Sequence, residues 1–134
     1  IHAASASTTI NRILDLFPPE KHGAIRQALA NNLRAIVAQK LLKSIRPGVS
    51  RVPTNEIMIC NAIVRKLISE GRDNSLADAI RMCQQEGMMD FTESLRQLVD
   101  RGDIDKATAL EVAPNPDQLK MALKGIKVAT PGIL

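Results

Sequence analysis

Residues 61–102, NAIVRKLISEGRDNSLADAIRMCQQEGMMDFTESLRQLVDRG, decide the fold class of this chain. Apolar residues recur there at three- and four-residue steps, as at Val64, Leu67 and Ile68 before Gly71. That spacing places them on one face of a helix, and a glycine is the commonest residue just past a helix end. The stretch therefore predicts an amphipathic helix that ends near Gly71.

Capping residues mark two more helices in the same stretch. Ser75 is followed three residues later by Asp78, and Gly87 lies where that helix would end. Asp90 and Glu93 repeat the spacing. A short polar side chain at a helix start, with an acidic residue three positions on, is typical of a capped N-terminus. We predict helices over 76–86 and 91–101.

The same reading extends outward to the whole chain of 134 residues. Periodicity alone would continue the second helix to about Ile45, before Pro47-Gly48. Residues 56–60 (EIMIC) are the one stretch with the composition of a strand. The predicted helices cover about 8–17, 19–39, 61–70, 76–86, 91–101, 105–113 and 116–124. The pattern by itself indicates a soluble helical domain and leaves the function open.

Composition argues against several classes of protein. The 18 basic and 14 acidic residues are interspersed, and the chain has no Tyr or Trp, so the stacking platforms of a single-strand nucleic-acid surface are missing. Cys60 and Cys83 have no neighbours at metal-ligand spacing and read as buried hydrophobes in a reducing compartment. No apolar run reaches the roughly 18 residues of a membrane span, so we expect an intracellular protein.

No complete catalytic set is visible in the sequence. The two histidines, His2 and His22, have no nucleophile placed by a motif. The 14 acidic residues leave a paired-carboxylate site open, but nothing in the sequence singles out two of them. The sequence has no G-x-x-x-x-G-K-[ST] loop, which P-loop enzymes need to hold nucleotide phosphates. We therefore expect the chain by itself to be inactive.

Several short motifs, taken in order, resemble those of secretion and pilus motor ATPases. Residues 1–6 (IHAASA) and 9–18 (TINRILDLFP) are similar to the His box and the helix after it. Residues 33–42 (LRAIVAQKLL) are similar to the next helix, and 51–58 (RVPTNEIM) to the strand that follows. Residues 63–70 (IVRKLISE) resemble the signature AIRNLIRE of the type IV pilus retraction ATPases.

Two details bear on the branch of that family. The assembly and type II secretion branches carry a four-cysteine zinc insertion where this chain has only residues 44–50 (SIRPGVS), which favours the retraction branch, with its PilT and PilU types. The chain also departs from the family. Ala4 replaces the Asn of the His box, and Val64, Lys66 and Ser69 replace Ile, Asn and Arg of the signature.

The resemblance implies a mostly α fold with a small β-hairpin. Residues 1–60 would be the C-terminal remnant of a RecA-like ATPase core, with the His box, a long helix and the hairpin. Residues 61–126 would be a helical C-terminal domain, and 127–134 a flexible tail. It also implies that Lys40 to Ile45 leaves the predicted helix and pairs with Val52 to Cys60, as a hairpin at the sheet edge.

The resemblance also implies roles for individual residues. His2 would face the terminal phosphate of the nucleotide, and Arg12 and Arg34 are candidates for contacts across a subunit interface. The retained signature residues are Arg65, Leu67, Ile68 and Glu70. Leu67 and Ile68, together with Ile63 and Val64, are more simply explained as core residues. Arg65 and Glu70 are five positions apart, so each is free to meet another element.

For the intact protein, the resemblance implies a hexameric ATPase that uses ATP and Mg²⁺ to drive pilus retraction and twitching motility. It would be cytoplasmic, at the inner-membrane base of the pilus machine, and would contact the membrane platform protein. No nucleic-acid partner is expected, and no metal or cofactor is expected for the chain alone. The alternative is a stand-alone helical adaptor domain that binds another protein.

Overall fold

The computed structural model describes residues 1–126; the predicted tail, 127–134, lies outside the described residues. The α-helices are α1 Thr9–Leu14, α2 His22–Asn32, α3 Ala62–Ser69, α4 Leu76–Met82, α5 Phe91–Asp100, α6 Lys106–Val112 and α7 Pro116–Leu123. The strands are β1 Ala35–Lys43 and β2 Arg51–Ile59, and short 3₁₀ helices cover Pro19–Lys21, Asp73–Ser75 and Gln84–Glu86. Within this part of the chain, no helix is both long and apolar enough to cross a membrane.

The two strands form an antiparallel hairpin. Its register runs from the pair Ala35 and Ile59 to the pair Lys43 and Arg51. Gly48, in the connecting loop, has φ 76°, which glycine adopts without the steric cost that a Cβ would bring. The predicted pairing across Pro47-Gly48 is confirmed, and the mostly α architecture with a small hairpin is the one observed.

The long second helix predicted over 19–39 is wrong beyond Asn32. The segment over 33–42, which resembled a helix of the family, instead enters β1 at Ala35. Val37 and Leu41 are four positions apart, a spacing that places two residues on one face of a helix and also on one face of a strand, so periodicity could not separate the two. Pairing with β2 decides the matter, because the main chain of residues 35–43 finds its hydrogen-bond partners there.

Smaller boundary differences have local causes. Helix α1 stops at Leu14, and the predicted helix over 76–86 ends at Met82 before the 3₁₀ turn Gln84–Glu86. Ser75 makes no capping hydrogen bond with its side chain, so that part of the capping-box prediction is wrong. The Asp90 cap is confirmed: its side chain accepts the backbone N–H of Glu93 at 2.8 Å.

Among residues 1–126, the core consists of two apolar clusters on the inner face of the hairpin. The first joins α1, α2, α3 and α4 through residues such as Ile10, Met58, Ile68 and Ile80. The second joins the loop end of the hairpin to α5, α6 and α7 and contains Leu42, Val52, Leu95, Leu98, Ile104, Ala109 and Leu119. The hairpin thus contributes side chains to both clusters and holds them together.

A buried polar contact fastens β2 to α5 beside these clusters. Thr54 donates from its hydroxyl to Ser94 Oγ at 2.8 Å, and the same oxygen accepts the backbone N–H of Asn55 at 3.0 Å. Both hydroxyl-bearing residues are buried. Buried polar groups destabilise a fold unless they are hydrogen-bonded, so this contact fixes the register between the hairpin and α5.

Candidate functional site

Helix α3 carries the residues that matched the retraction signature. Asn61 caps it by accepting the backbone N–H of Val64 at 3.0 Å, which satisfies one of the free donors of the first turn. Val64, Leu67 and Ile68 are at most 2% exposed and pack into the first cluster. The interpretation of Val64, Leu67 and Ile68 as core residues agrees with this burial, but it is wrong for Ile63, which is 40% exposed.

Arg65 points from α3 to the end of α2. Its guanidinium donates to the carbonyl oxygens of Ala30, of Asn31 at 3.0 Å and of Leu33 at 3.1 Å. The last carbonyls of a helix have no partners within the helix, and they carry the negative end of its dipole. Arg65 therefore meets another element, as expected, and that element is the C-terminus of α2 in the same chain.

A second polar contact joins α2 to the end of α3. Arg26 of α2 forms two hydrogen bonds with the carboxylate of Asp73, at 2.7 and 2.9 Å, and a third with the carbonyl oxygen of Ile68 at 3.1 Å. Gln27 adds a hydrogen bond to Ser69 Oγ at 3.0 Å. Paired hydrogen bonds between an Arg and a carboxylate fix orientation as well as distance. The α2–α3 pair is thus held at both ends.

The opposite side of α3 is exposed to solvent. We call the residues Ala62, Ile63, Lys66 and Glu70 the outer face of α3. Ile63 is 40% exposed, and Glu70 lies 3.6 Å from Arg72 with both side chains nearly half exposed. A contact of that kind contributes little to stability, so Glu70 can exchange it for another partner.

The remaining predicted site residues are all exposed. His2 lies in the irregular segment before α1, Arg12 lies on α1, and Arg34 lies between α2 and β1. Within residues 1–126, no hydrogen bond or ion pair joins their side chains to those of α3. The main chain of Arg34 does reach the start of α3, since its carbonyl oxygen accepts the backbone N–H of Cys60 at 2.9 Å.

Glu56, a buried carboxylate on β2, was not singled out as a candidate from the sequence. It lies on the inner face of the strand, between the buried residues Thr54 and Met58, and its Oε1 accepts the backbone N–H of Ala6 at 2.7 Å. Desolvation raises the pKa of Glu56, and the backbone amides of Ala6, Ser7 and Phe91 oppose that rise. A lone acid in the apolar row of a strand was the available signal.

The cysteines are buried and free. Burial raises the pKa of the Cys60 thiol, and the nearby charge of Arg65 opposes this to a smaller extent. A thiol with a raised pKa is a poor nucleophile, because the thiolate is the reactive form. Cys60 therefore acts as a small apolar side chain in the first cluster.

The described residues provide a fixed α2–α3 unit with an exposed outer face. The motif that holds phosphates in the P-loop manner, a glycine-rich loop with its lysine, does not occur in the 134 residues of the sequence.

Comparison with known proteins gives consistent relatives. The chain is 34% identical over 119 residues to the twitching motility protein of Neisseria gonorrhoeae, covering 89% of the chain and 32% of that protein. It is 35% identical over 117 residues to the type IV pilus retraction ATPase PilT of Pseudomonas aeruginosa, covering 87% of the chain and 33% of that protein. No protein-family profile matches the chain.

A solved structure agrees with these relatives. The crystal structure of the pilus retraction motor PilT with bound ADP superposes with a TM-score of 0.74 at 32% identity, covering 90% of the chain and 33% of that structure. The chain spans about a third of the length of the curated relatives that it matches.

Proposed function

Because this chain belongs to the type IV pilus retraction ATPase family, we propose that it is the C-terminal part of a motor that retracts a type IV pilus. The observation that carries the proposal is similarity to relatives of that name over about nine tenths of the chain, in sequence and in backbone structure. The retained signature residues of α3 support the retraction branch.

In the proposed full-length protein, the phosphate-binding loop would come from residues upstream of Ile1. The protein would form a hexameric ring in the cytoplasm, at the inner-membrane base of the pilus machine, and would hydrolyse ATP with Mg²⁺ between subunits. His2 would face the terminal phosphate, to which an imidazole can donate a hydrogen bond. The exposed guanidinium groups of Arg12 and Arg34 suit contacts across a subunit interface.

Helix α3 would transmit motion rather than take part in phosphate chemistry. Arg65 and the Arg26–Asp73 pair hold α3 on α2, so a displacement of α2 would move α3 with it. Packed helices that move as one body are a common means of coupling between domains. The outer face of α3, with Lys66 and Glu70, would then contact the membrane platform protein.

The test compares two assays on the full-length protein. Glu70→Ala combined with Lys66→Ala should leave the ATPase rate unchanged and impair pilus retraction in cells. Asp117→Ala, an exposed change on α7, is the control. Normal retraction by the double variant would rule out the proposed role of the outer face of α3 in transmitting motion. A full-length protein without ATPase activity would favour the alternative, a helical adaptor.

For the chain by itself, we expect no tight nucleotide binding. Without a phosphate-binding loop, MgATP should bind no more tightly than about millimolar, equivalent to roughly 4 kcal/mol. Titration calorimetry measures this directly. A micromolar dissociation constant would contradict the proposal that the phosphate-binding loop comes from residues upstream of Ile1.

A further inference from the structure

The inner face of β2 contains one ionisable residue in a row that is otherwise apolar or hydroxylic. Side chains alternate along a strand, so Val52, Thr54, Glu56 and Met58 point to the same side, and all four are buried. A carboxylate in such a row is costly unless hydrogen bonds compensate it. The position of Glu56 therefore requires fixed donors.

Those donors come from a distant part of the chain. Ala6, fifty positions before Glu56, donates its backbone N–H to Oε1 at 2.7 Å and is itself fully buried. Hydrogen bonds to a charged acceptor are stronger than those between neutral groups. This contact therefore attaches the segment before α1 to the hairpin at a defined point.

The attached segment is a structured turn. The hydroxyl of Ser5 accepts the backbone N–H of Thr8 at 3.2 Å, and Thr9 donates from its hydroxyl to the carbonyl oxygen of Ser5 at 3.0 Å. We call residues 5–9 the N-terminal turn. Because the turn is internally bonded, anchoring Ala6 anchors the whole turn, and His2 lies only a few residues before it.

Glu56 also lies against the start of α5. The backbone amide of Phe91 stabilises its carboxylate, whereas the negative charge of Asp90, the cap of α5, disfavours it. On the neighbouring strand, Ala38 lies opposite Glu56 and brings no charge. The hydrogen bond from Ala6 thus attaches the carboxylate to the N-terminal turn, while the first residues of α5 influence its pKa.

We propose that Glu56 is a positioning residue that fixes the N-terminal turn, and with it the segment that carries His2, on the hairpin. The attachment itself stands on the geometry of this chain. Its consequence for ATP turnover rests on the proposed function, in which His2 faces the terminal phosphate. Glu56 acts through the turn and needs no contact with the nucleotide.

The test uses hydrogen exchange in the full-length protein, measured by mass spectrometry on a peptide that covers residues 4–9. Glu56→Met keeps a similar size in the apolar row but removes the acceptor, and should speed exchange of this peptide at least about tenfold. Glu56→Gln keeps a carbonyl acceptor and should restore most of the protection. Thr54→Val, two residues along the same row, breaks a buried hydrogen bond to Ser94 of α5 and none to the N-terminal turn, so it is the control for general loosening and should leave the peptide unchanged.

Two results would overturn the attachment. One is unchanged exchange in residues 4–9 for Glu56→Met. The other is an equal rise in that peptide for Glu56→Met and Thr54→Val, which would indicate general loosening. If Glu56→Met does not fold, Glu56→Ala, which also removes the acceptor, takes its place: faster exchange in residues 4–9 than in Thr54→Val supports the attachment, and exchange no faster than in Thr54→Val overturns it.

A second experiment measures the ATPase rate of the full-length protein, and it distinguishes failure of this proposal from failure of the proposed function. Glu56→Met should lower the ATPase rate in a background with His2 and have little further effect in a His2→Ala background. Equal losses in both backgrounds would mean that Glu56 does not act through His2. If His2→Ala has no effect, the role proposed for His2 fails, and the exchange result still decides whether Glu56 holds the turn.

Discussion

Arg65 Nη2 lies 3.1 Å from the carbonyl oxygen of Leu33, and this contact marks the place where α2 gives way to β1. The guanidinium also binds the carbonyl oxygens of Ala30 and Asn31. A residue of the retraction signature therefore terminates a helix that lies more than thirty positions earlier in the chain. Arg65 therefore has a structural role within this chain, separate from any contact that α3 makes with a partner.

Arg65→Ala should lower the free energy of unfolding by about 2 kcal/mol, because three backbone carbonyls lose their donor. Lys66→Ala, the exposed neighbour on the same helix, should change it by less than about 0.5 kcal/mol. Urea denaturation of the chain measures both. Equal effects of the two substitutions would contradict the capping role of Arg65.

Asp73→Asn should cost about 1–2 kcal/mol, since it leaves the partly buried guanidinium of Arg26 without its paired carboxylate. Arg26 and Asp73 are only 17% and 11% exposed. The control is Asp100→Asn, which removes the 2.5 Å contact between Arg96 and an Asp100 side chain that is 52% exposed. That change should cost less than about 0.5 kcal/mol. A larger loss for Asp100→Asn in chemical denaturation would reverse the expected order.

Substitution of Asn61 and of Ser75 should have different effects on the thermal stability of the chain. Asn61→Ala removes a side-chain acceptor at the start of α3 and should cost about 1 kcal/mol. Ser75→Ala removes no capping hydrogen bond and should cost less than about 0.5 kcal/mol. Differential scanning calorimetry compares them. A cost for Ser75→Ala as large as that for Asn61→Ala would mean that Ser75 caps α4 in solution.

Ionisation of Glu56 should lower the free energy of unfolding as the pH rises from 4.5 to the raised pKa of the folded chain. Its folded pKa is raised above the ordinary value of 4.5 by desolvation, so the folded chain binds more protons than the unfolded chain between those two pKa values. Stability is then highest below 4.5 and declines until the folded pKa is passed. Glu56→Gln cannot ionise, so it should gain stability relative to the unsubstituted chain across this window. Denaturation at a series of pH values tests the sign, and a constant difference would contradict it.

Two glycine substitutions should change the free energy of unfolding in opposite directions. Gly23 lies in the first turn of α2, and a Cβ there would meet nothing within 4 Å, so Gly23→Ala should stabilise by about 0.5 kcal/mol. Gly87 has φ 92°, and a Cβ there would lie 3.5 Å from Ile59 Cδ1, so Gly87→Ala should destabilise by about 1 kcal/mol. Melting temperatures would show the contrast, and stabilisation by Gly87→Ala would contradict the backbone geometry.

The sequence by itself determined the helices after residue 61, except for the cap and the end of α4. Their signals are local: Asp90, Asp105 and Asn115 accept backbone N–H groups within their own first turns, as their side-chain chemistry predicts. The apolar spacing of α3 likewise identified Leu67 and Ile68 as buried. Such features depend on residues three or four positions apart, and sequence spacing reports them directly.

Part of the candidate site could also be predicted. The motif match found α3, and the spacing of Arg65 and Glu70 indicated that each would meet something outside the helix turn. The sequence spacing could not predict that Arg65 reaches the end of α2 while Glu70 stays near solvent beside Arg72. Both positions are polar and lie on one helix, so the difference arises only from where α2 packs.

Only the tertiary structure decided the end of α2, the strand β1 and the partner of Glu56. Residues 33–42 have a spacing that fits a helix and a strand alike, and β2 resolves it by supplying main-chain partners from residues 51–59. Arg65 and Glu56 likewise bind main-chain groups that are more than thirty positions away. Hydrogen bonds to the backbone do not depend on the side chain of the partner residue, so they leave no pattern in the sequence, and only packing brings the two groups together.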